Sequence, residues 1–311
     1  MAIAVAGGTG GVGKTIVSKL SGKVIILTRS KPEPPSDTNS PEDRKKVQVE
    51  YNDISSLSKT LEDHDVHTVI SAISIYDGET SQSQLNLIQA ADKSNVTTRF
   101  IPSEYSFIQT HDLLPIDPSI QHFIDAVQLL QKTNLQYTRV IPGFFMDYWG
   151  MNPEKVIQTN LQPSAFGTDI ANCEAAIPGD GNDRICMTYS EDMATFVARL
   201  LDVKDWPEFS VVVGDEYTYN EIIQLGQELQ GKHFKVVYDS HERVKEGKVT
   251  VPKMPPGCPY SEDEVYEMTV LVSRLTIAGV FDLPKIGRLN DRFPDISTKK
   301  LRDFMRDAWK E

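Results

Sequence analysis

The feature that most constrains the fold is a glycine-rich segment near the N-terminus, between a short apolar run and an amphipathic one. Residues 3–6 are apolar and predict a buried strand, whereas Ile16, Val17 and Leu20 recur at helical spacing. The glycines therefore lie on a strand-to-helix turn. Their spacing fits G-x-x-G-x-x-G, a dinucleotide-binding fingerprint in which absent Cβ atoms permit a tight turn and let a pyrophosphate approach the backbone. The predicted cofactor contacts here are Gly7, Thr9, Gly10, Gly11, Val12 and Gly13.

The same segment also fits a second phosphate-binding motif. Residues 8–15 match G-x-x-x-x-G-K-[ST], the P-loop, in which Lys14 would reach the terminal phosphates and Thr15 would hold magnesium. A P-loop enzyme also needs an acidic residue at the end of a second apolar strand, and the candidate, Asp215, lies far downstream. We favour the dinucleotide interpretation, with the P-loop and an ordinary glycine-rich turn as the alternatives.

The second predicted strand, residues 23–29, ends in a cation rather than an acid. In this fold an Asp or Glu at that position receives the ribose 2′-hydroxyl of NAD, whereas an Arg accommodates the 2′-phosphate of NADP. Arg29 and Lys31 therefore favour NADP(H) as the cofactor. The alternative is that both are solvated surface cations.

Predicted strands and helices alternate at short spacing along the first half of the chain. Further strands are predicted at 47–51, 67–73, 98–101 and 136–141, with helical patterns between most of them. Such alternation is typical of the α/β class, with a doubly wound parallel sheet of Rossmann type. Ligands of such sheets bind beyond the carboxyl ends of the strands, so the segments that follow each strand are the candidate site.

The segment after residue 141 is unusually aromatic. Phe144, Phe145, Tyr148 and Trp149 fall within six residues, a pattern suited to a pocket for a flat, apolar substrate. The alternative is that these side chains are ordinary core.

Composition and charge narrow the class of protein. The chain has 311 residues and a formal net charge of -12, which opposes docking on nucleic-acid phosphates. The first strand begins at residue 3 and no apolar stretch approaches the ~20 residues of a membrane span, so we expect a cytoplasmic protein without a signal peptide. Cys173, Cys186 and Cys258 are scattered, which predicts free thiols and no metal site.

The common catalytic motifs are missing from the sequence. No tyrosine is followed four residues later by a lysine, so the dyad of short-chain dehydrogenases is absent. Neither G-x-S-x-G nor H-E-x-x-H occurs.

Several motifs together carry a resemblance to a known family. They are residues 7–13, Thr28-Arg29, Arg99-Phe-Ile-Pro-Ser-Glu-Tyr105, Gly143-Phe-Phe, Pro178-Gly-Asp-Gly-Asn, Ser190-Glu-Asp and Tyr219-Asn-Glu. The most specific of them is Arg-Phe-x-Pro-Ser-Glu. Through these motifs the chain resembles, over nearly its whole length, the atypical short-chain dehydrogenases of the isoflavone reductase and NmrA-like group.

The resemblance implies an NADP(H)-binding Rossmann domain and a smaller, interleaved α+β C-terminal substrate domain. The first would cover 1–150, with 183–208 returning to it, and the second 151–182 and 209–311. By the same resemblance Pro102, Ser103 and Glu104 would lie beside the nicotinamide, and Ala72, Ile73 and Ser74 would line the cofactor groove. A homodimer is the expected assembly, although no residue pattern requires it.

One departure from the family pattern bears on catalysis. Reductases of the group carry a lysine on the helix after the fifth strand, and a gapless count places Phe123 at that position. Either His122 or Tyr105 takes over proton transfer, or the site works without acid–base help. His122 is one residue away, a rotation of about 100° along a helix, so it reaches the site only if the helix register differs.

The sequence therefore predicts an NADPH-dependent reductase of an aromatic or polyketide-like small molecule, with Phe123, Phe144, Phe145 and Tyr148 near the substrate. The alternative is a non-catalytic NAD(P)-binding regulator of the NmrA type that senses redox state and acts through a protein partner. A P-loop ATPase is the third hypothesis.

Overall fold

The computed structural model describes residues 2–31, 44–155 and 157–310. Its strands are β1 (Ala2–Ala6), β2 (Val24–Thr28), β3 (Lys45–Gln48), β4 (Val66–Ser71), β5 (Arg99–Ile101), β6 (Gln136–Tyr137), β7 (Arg139–Ile141), β8 (Phe144–Phe145), β9 (Thr168–Asp169), β10 (Glu174–Pro178), β11 (Ile185–Thr188), β12 (Phe209–Val211), β13 (Asp215–Tyr217) and β14 (Lys235–Asp239). Its α-helices are α1 (Gly11–Lys19), α2 (Ile54–Asp63), α3 (Gly78–Lys93), α4 (Gln121–Leu130), α5 (Ser190–Leu200), α6 (Tyr219–Gln230), α7 (His241–Lys245), α8 (Glu262–Ile277), α9 (Leu289–Arg292) and α10 (Leu301–Trp309). Short 3₁₀ helices span His111–Leu113, Pro118–Ile120 and Met146–Gly150.

A six-stranded parallel sheet organises the first half of the chain, in the order β3-β2-β1-β4-β5-β6. The central strands β1, β2 and β4 are almost wholly buried, because helices cover parallel sheets on both faces. The order reverses between β1 and β4, and this switch point is where a doubly wound sheet opens a crevice. The predicted α/β fold with a doubly wound parallel sheet is confirmed.

The predicted strand 136–141 is not continuous, and this corrects the sequence analysis. Tyr137 pairs with Phe100 in the large sheet, whereas β7 pairs with β12. The reason is that the chain changes partners at Thr138: its hydroxyl lies 2.7 Å from that of Ser210, and the amide of Arg139 donates to the carbonyl of Glu208 at 2.8 Å.

Local signals explain where several helices begin. Capping boxes, in which an N-cap side chain and the third helical residue satisfy each other's backbone amides, open α3 at Asp77, α6 at Thr218 and α8 at Ser261. The box at Asp77 matters for function, because it fixes the start of α3 directly after the segment that follows β4.

Contacts within the chain divide it into two compact units, both discontinuous in sequence. The first comprises 1–105, 109–141 and 194–210; the second comprises 106–108, 142–193 and 211–311. The core of the first unit joins buried side chains of β1, β2 and β4 to those of α2, α3 and α4. The second unit contains the ladders β14-β10-β9 and β13-β11-β8. Cys173, Cys186 and Cys258 are free thiols, as predicted.

Candidate functional site

A cleft of about 320 Å³ lies in the first unit, at the carboxyl ends of β1, β2 and β4. It therefore lies at the switch point of the sheet. Of the predicted cofactor residues, the cleft brings together Gly7, Thr9, Gly10, Arg29, Ala72, Ile73 and Ser74. It also contains residues that the sequence analysis did not select, namely Leu27, Thr28, Ser30, Tyr51, Tyr76, Thr80 and Ser83.

The glycine turn is shaped by close backbone packing. Gly7 has a φ of +74°, and a Cβ there would lie 2.3 Å from the carbonyl oxygen of Ala72. A Cβ on Gly13 would lie 2.1 Å from the carbonyl oxygen of Gly7. Both distances are shorter than any van der Waals contact, so the turn requires glycine at these positions. Gly10 differs, because a Cβ there would meet only the carbonyl of Gly7, at 3.4 Å.

The N-terminus of α1 is open to an anion. Its N-cap is Gly10, which has no side chain to bond the first amides, and within residues 2–31 no other side chain caps the helix. The first turn, Gly11 to Gly13, carries no acidic residue. Unpaired amides and the positive end of the helix dipole make such a terminus a binding site for phosphate.

The side chains of the P-loop alternative are not placed for magnesium chemistry. The hydroxyl of Thr15 is fully buried and donates to the carbonyl of Gly11 at 3.0 Å. This hydroxyl is therefore bonded to the backbone of its own helix, and Thr15 does not line the cleft. Lys14 is exposed and does not belong to the lining of the cleft among the residues that the structure describes.

Arg29 stands at the edge of the cleft where β2 ends. Its side chain is 68% exposed and its guanidinium lies 4.0 Å from the carboxylate of Glu79, which is 79% exposed. An exposed pair at that distance is weak, so the guanidinium can turn to another anion. Lys31 is exposed and lies outside the described lining of the cleft.

The segment after β4 forms the opposite wall. Ala72, Ile73 and Ser74 follow the strand directly, and the start of α3 adds Thr80 and Ser83. Hydrogen bonds from Thr80 lower the pKa of the N-cap Asp77, and the nearby charge of His122 acts in the same direction. The helix α4, which carries His122, packs against α3 within the first unit.

The segment after β5 is tightly bonded within the first unit. The amide of Ser103 donates to the side chain of Gln84 at 2.9 Å. The carboxylate of Glu104 is buried and accepts from both Nε and Nη2 of Arg139. That ion pair gives Glu104 a structural role. Its placement beside a nicotinamide, like that of Pro102 and Ser103, stays a prediction.

The two candidate proton donors have different surroundings. The hydroxyl of Tyr105 donates to the carbonyl of Ser71 at 2.9 Å, and burial raises its pKa above the usual value for tyrosine. Proton release from this group is therefore opposed. His122 is half-exposed, next to the half-buried Phe123. The helix α4 thus presents both residues at its first turn.

Two of the predicted substrate residues of the second unit, Phe144 and Tyr148, belong to an aromatic cluster. Phe144 packs edge-on against Phe166 and Phe281, with ring centroids 5.0 Å apart in each case. Phe144 is buried in this packing, and its neighbour in the chain, Phe145, is buried as well. Tyr148 lies 4.7 Å from Phe166, between centroids, and also lines a separate cavity of the second unit.

The missed cleft residues had only weak sequence signals. Leu27 and Thr28 end β2 directly before Arg29, so their only signal was their place at a strand end. Tyr51 follows β3 and reaches the cleft only because that strand lies beside β2. Ser83 lies six residues after the N-cap Asp77, in the second turn of α3, a position that no motif marks.

No group of three or more His, Cys, Asp or Glu among the described residues could hold a metal ion. Likewise, no helix within residues 2–31, 44–155 and 157–310 is long and apolar enough to cross a membrane.

Comparison with known proteins gives a family and a fold. The model of the NmrA-like family matches residues 1–271. The oxidoreductase swnN of Metarhizium robertsii is 32% identical, with 99% of this chain and 97% of the relative covered. The complex of leucoanthocyanidin reductase with NADPH from Vitis vinifera superposes with a TM-score of 0.73 at 17% identity, over 100% of both chains. AtPrR2 with NADP+ and (+)pinoresinol gives 0.72 at 18% identity, over 98% of both. The likeness to these two structures shows a shared fold.

Proposed function

Because this chain belongs to the NmrA-like family, we propose that it is an NADPH-dependent reductase of an aromatic or polyketide-like small molecule. A relative that matches nearly its whole length is named an oxidoreductase. Two proteins of the same fold have been solved with NADPH or NADP+, one of them together with pinoresinol. These comparisons support the proposal.

The observation that carries the proposal is the uncapped N-terminus of α1 beside the glycine turn. The turn leaves no room for a Cβ at Gly7 or Gly13, and the first amides of α1 have no side-chain acceptor at the N-cap Gly10. A pyrophosphate fits this cradle, because its oxygens would accept from those amides. Bound NADPH supplies a hydride, and the protein holds the cofactor and shields it from water.

The choice of NADPH over NADH rests on Arg29. Its exposed guanidinium stands where β2 ends, and its ion-pair partner among the described residues, Glu79, is 4.0 Å away. A 2′-phosphate would offer it a charge-assisted, bidentate partner, whereas a 2′-hydroxyl would not. A second cation, the exposed Lys31, adds positive charge three residues after the end of β2.

The aromatic substrate class rests on the aromatic cluster of the second unit. Phe144 and Tyr148 pack edge-on against each other and against Phe166. Flat apolar molecules bind to aromatic walls, and we assign Tyr148, a half-buried ring of this cluster, to the substrate. In the first unit, His122 and Phe123 lie side by side on the first turn of α4, and we assign proton donation to His122.

A second candidate is favoured by one observation. By a count without gaps, Phe123 falls at the position where the family resemblance implies a lysine. The hydroxyl of Tyr105 donates to the carbonyl of Ser71, and burial raises the pKa of Tyr105. A protein without a proton donor is suited to bind NADP(H) and leave it unchanged, as a regulator of the NmrA type would. The two functions differ in whether NADPH is consumed.

Cofactor binding is tested by calorimetric titration with NADPH, NADH and Mg-ATP. We expect Arg29→Ala to weaken NADPH binding about tenfold or more, because a hydrogen bond to a charged group contributes about 1.5–3 kcal/mol, and to leave NADH binding unchanged. The control is Lys59→Ala, which removes one exposed cation of the first unit outside the cleft. Binding of Mg-ATP alone would refute the proposed cofactor.

Catalysis is tested separately, by following NADPH absorbance with a panel of aromatic aldehydes, ketones and enones. Oxidation that depends on both protein and panel compound supports the reductase. Tight NADPH binding with no oxidation across the panel supports the regulator instead, and a search for a protein partner in the presence and absence of NADPH would follow.

A further inference from the structure

A cavity of about 450 Å³ lies within the second unit and plays no part in the cofactor cleft. Its size is that of a small-molecule site. Its apolar wall includes Met151, Ala165, Ile170, Met254 and Pro255. The charged residues that line it have both signs, Glu154, Asp169 and Lys253, so the cavity does not select a strongly charged ligand.

The buried wall of this cavity contains polar groups that are poorly satisfied. Thr168, on β9, is 4% exposed, and its Oγ1 is buried without a hydrogen-bond partner among the residues that the structure describes. Burying a hydroxyl in this way costs free energy unless a partner arrives. A bound molecule is one source of that partner.

Ser164 adds two donors at the same wall. It is 3% exposed, its amide donates to the sulfur of Met151 at 3.4 Å, and its hydroxyl donates to the sulfur of Met254 at 3.9 Å. Thioether sulfur is a weak acceptor, so an oxygen acceptor would replace it with a gain in bond strength. Methionine side chains are unbranched and flexible, and both can move to admit a ligand.

We propose that this cavity is a binding site for a small, uncharged, mostly apolar molecule that presents an acceptor oxygen, such as an aryl ketone. The oxygen accepts hydrogen bonds from Ser164 and Thr168, and the apolar body packs on Met151, Met254 and Pro255. Tyr148 closes one side of the cavity with its ring. The site lies wholly within the second unit and its occupancy requires no nicotinamide cofactor.

The test uses the full chain without cofactor and acetophenone as the probe, with ethylbenzene as the probe that lacks the oxygen. Saturation-transfer NMR and calorimetry are expected to show binding of acetophenone in preference to ethylbenzene. Thr168→Val keeps the shape of the side chain and removes the hydroxyl, and should weaken acetophenone binding by about three- to tenfold. Ser164→Ala should do the same.

A thermal melt of the ligand-free protein shows whether the Thr168 hydroxyl serves ligand binding or stabilises the fold. Because the Thr168 hydroxyl has no hydrogen-bond partner to lose among the described residues, Thr168→Val should raise the melting temperature, by roughly 2 °C. The control Thr269→Val removes a hydroxyl that donates to the carbonyl of Val265 and lies outside the cavity, and should not change probe binding. The proposal is overturned if the wild-type protein does not bind acetophenone, if Thr168→Val binds it unchanged, or if that variant melts earlier.

Discussion

At the scale of single residues, the question is which group in the first unit can give a proton. The hydroxyl of Tyr105 already donates to Ser71, and its raised pKa opposes proton release. Phe123 has no proton to give. His122 is half-exposed on the first turn of α4, and its positive charge helps to lower the pKa of Asp77, the N-cap of α3. These surroundings make His122 the better candidate of the two donors predicted from the sequence.

Two substitutions distinguish the donors. With any substrate found in the turnover screen, Tyr105→Phe should change kcat less than about twofold and lower the free energy of unfolding by about 1 kcal/mol, the worth of one hydrogen bond. His122→Gln should lower kcat by roughly 10²-fold or more, the usual contribution of a general acid. Steady-state rates and urea unfolding measure the two effects.

The matched control for Tyr105→Phe is Tyr266→Phe, which also breaks a bond from a tyrosine hydroxyl to a backbone carbonyl, that of Gly247 at 2.6 Å. A large fall in kcat for Tyr105→Phe but not for Tyr266→Phe would make Tyr105 the donor and contradict this assignment.

At the scale of elements, the turn after β1 and the helix α1 contain glycines that are present for different physical reasons. Gly7 and Gly13 are required by packing, since an added Cβ at either would overlap backbone atoms. Gly10 leaves the end of the helix uncapped and open. The nine-residue helix α1 therefore packs against the glycine turn at Gly13, and its N-terminus can bind a phosphate.

Gly13→Ala is expected to separate these properties from ordinary helix propensity. The new Cβ would lie 2.1 Å from the Gly7 carbonyl, so the turn must shift. We expect a loss of stability of about 1–3 kcal/mol, as for an overpacked core, and loss of measurable NADPH binding. Thermal melts and calorimetry check both.

Gly78→Ala serves as the control, because Gly78 is the first residue of α3 and an added Cβ there meets nothing within 4 Å. This variant should gain about 0.4–1 kcal/mol from reduced freedom of the unfolded chain. Equal effects of the two variants would contradict the packing explanation for Gly13.

At the scale of the whole molecule, a buried ion pair helps to hold the first unit together. Glu104 follows β5 and Arg139 begins β7, and their side chains are 1% and 7% exposed. Arg139 also donates to the carbonyl of Gln109 at 3.2 Å and lies over the ring of Phe209, 4.6 Å from its centroid. The pair thus joins segments that are distant in sequence at the place where the chain leaves the large sheet.

Removing one partner should be far worse than removing both. Arg139→Met or Glu104→Leu alone leaves a buried charge and should cost about 3–5 kcal/mol in the free energy of unfolding, whereas the double variant should lose much less than the sum. Urea unfolding of the four proteins gives the coupling energy. Additive losses would mean that the two side chains stabilise the unit independently.

The sequence by itself determined the glycine turn, the strand-to-helix order, the parallel α/β fold and the resemblance to the NmrA-like group, all of which are confirmed. These features rest on local patterns: absent Cβ atoms, hydrophobic periodicity and capping residues act within a few positions of each other. Motifs along strand ends also identified Gly7, Arg29 and Ala72, which the structure brings to one cleft.

Only the tertiary structure decided which partners the polar side chains take. Glu104 is paired with Arg139, which is 35 residues away in the sequence. Directly after β6, the hydroxyl of Thr138 is hydrogen-bonded to that of Ser210. The hydroxyl of Thr168 is buried with no hydrogen-bond partner among the described residues. No local pattern encodes these outcomes, because burial and hydrogen bonding depend on segments that meet only after the chain has folded. The structural role of Glu104 and the cavity beside Thr168 could therefore be seen only in three dimensions.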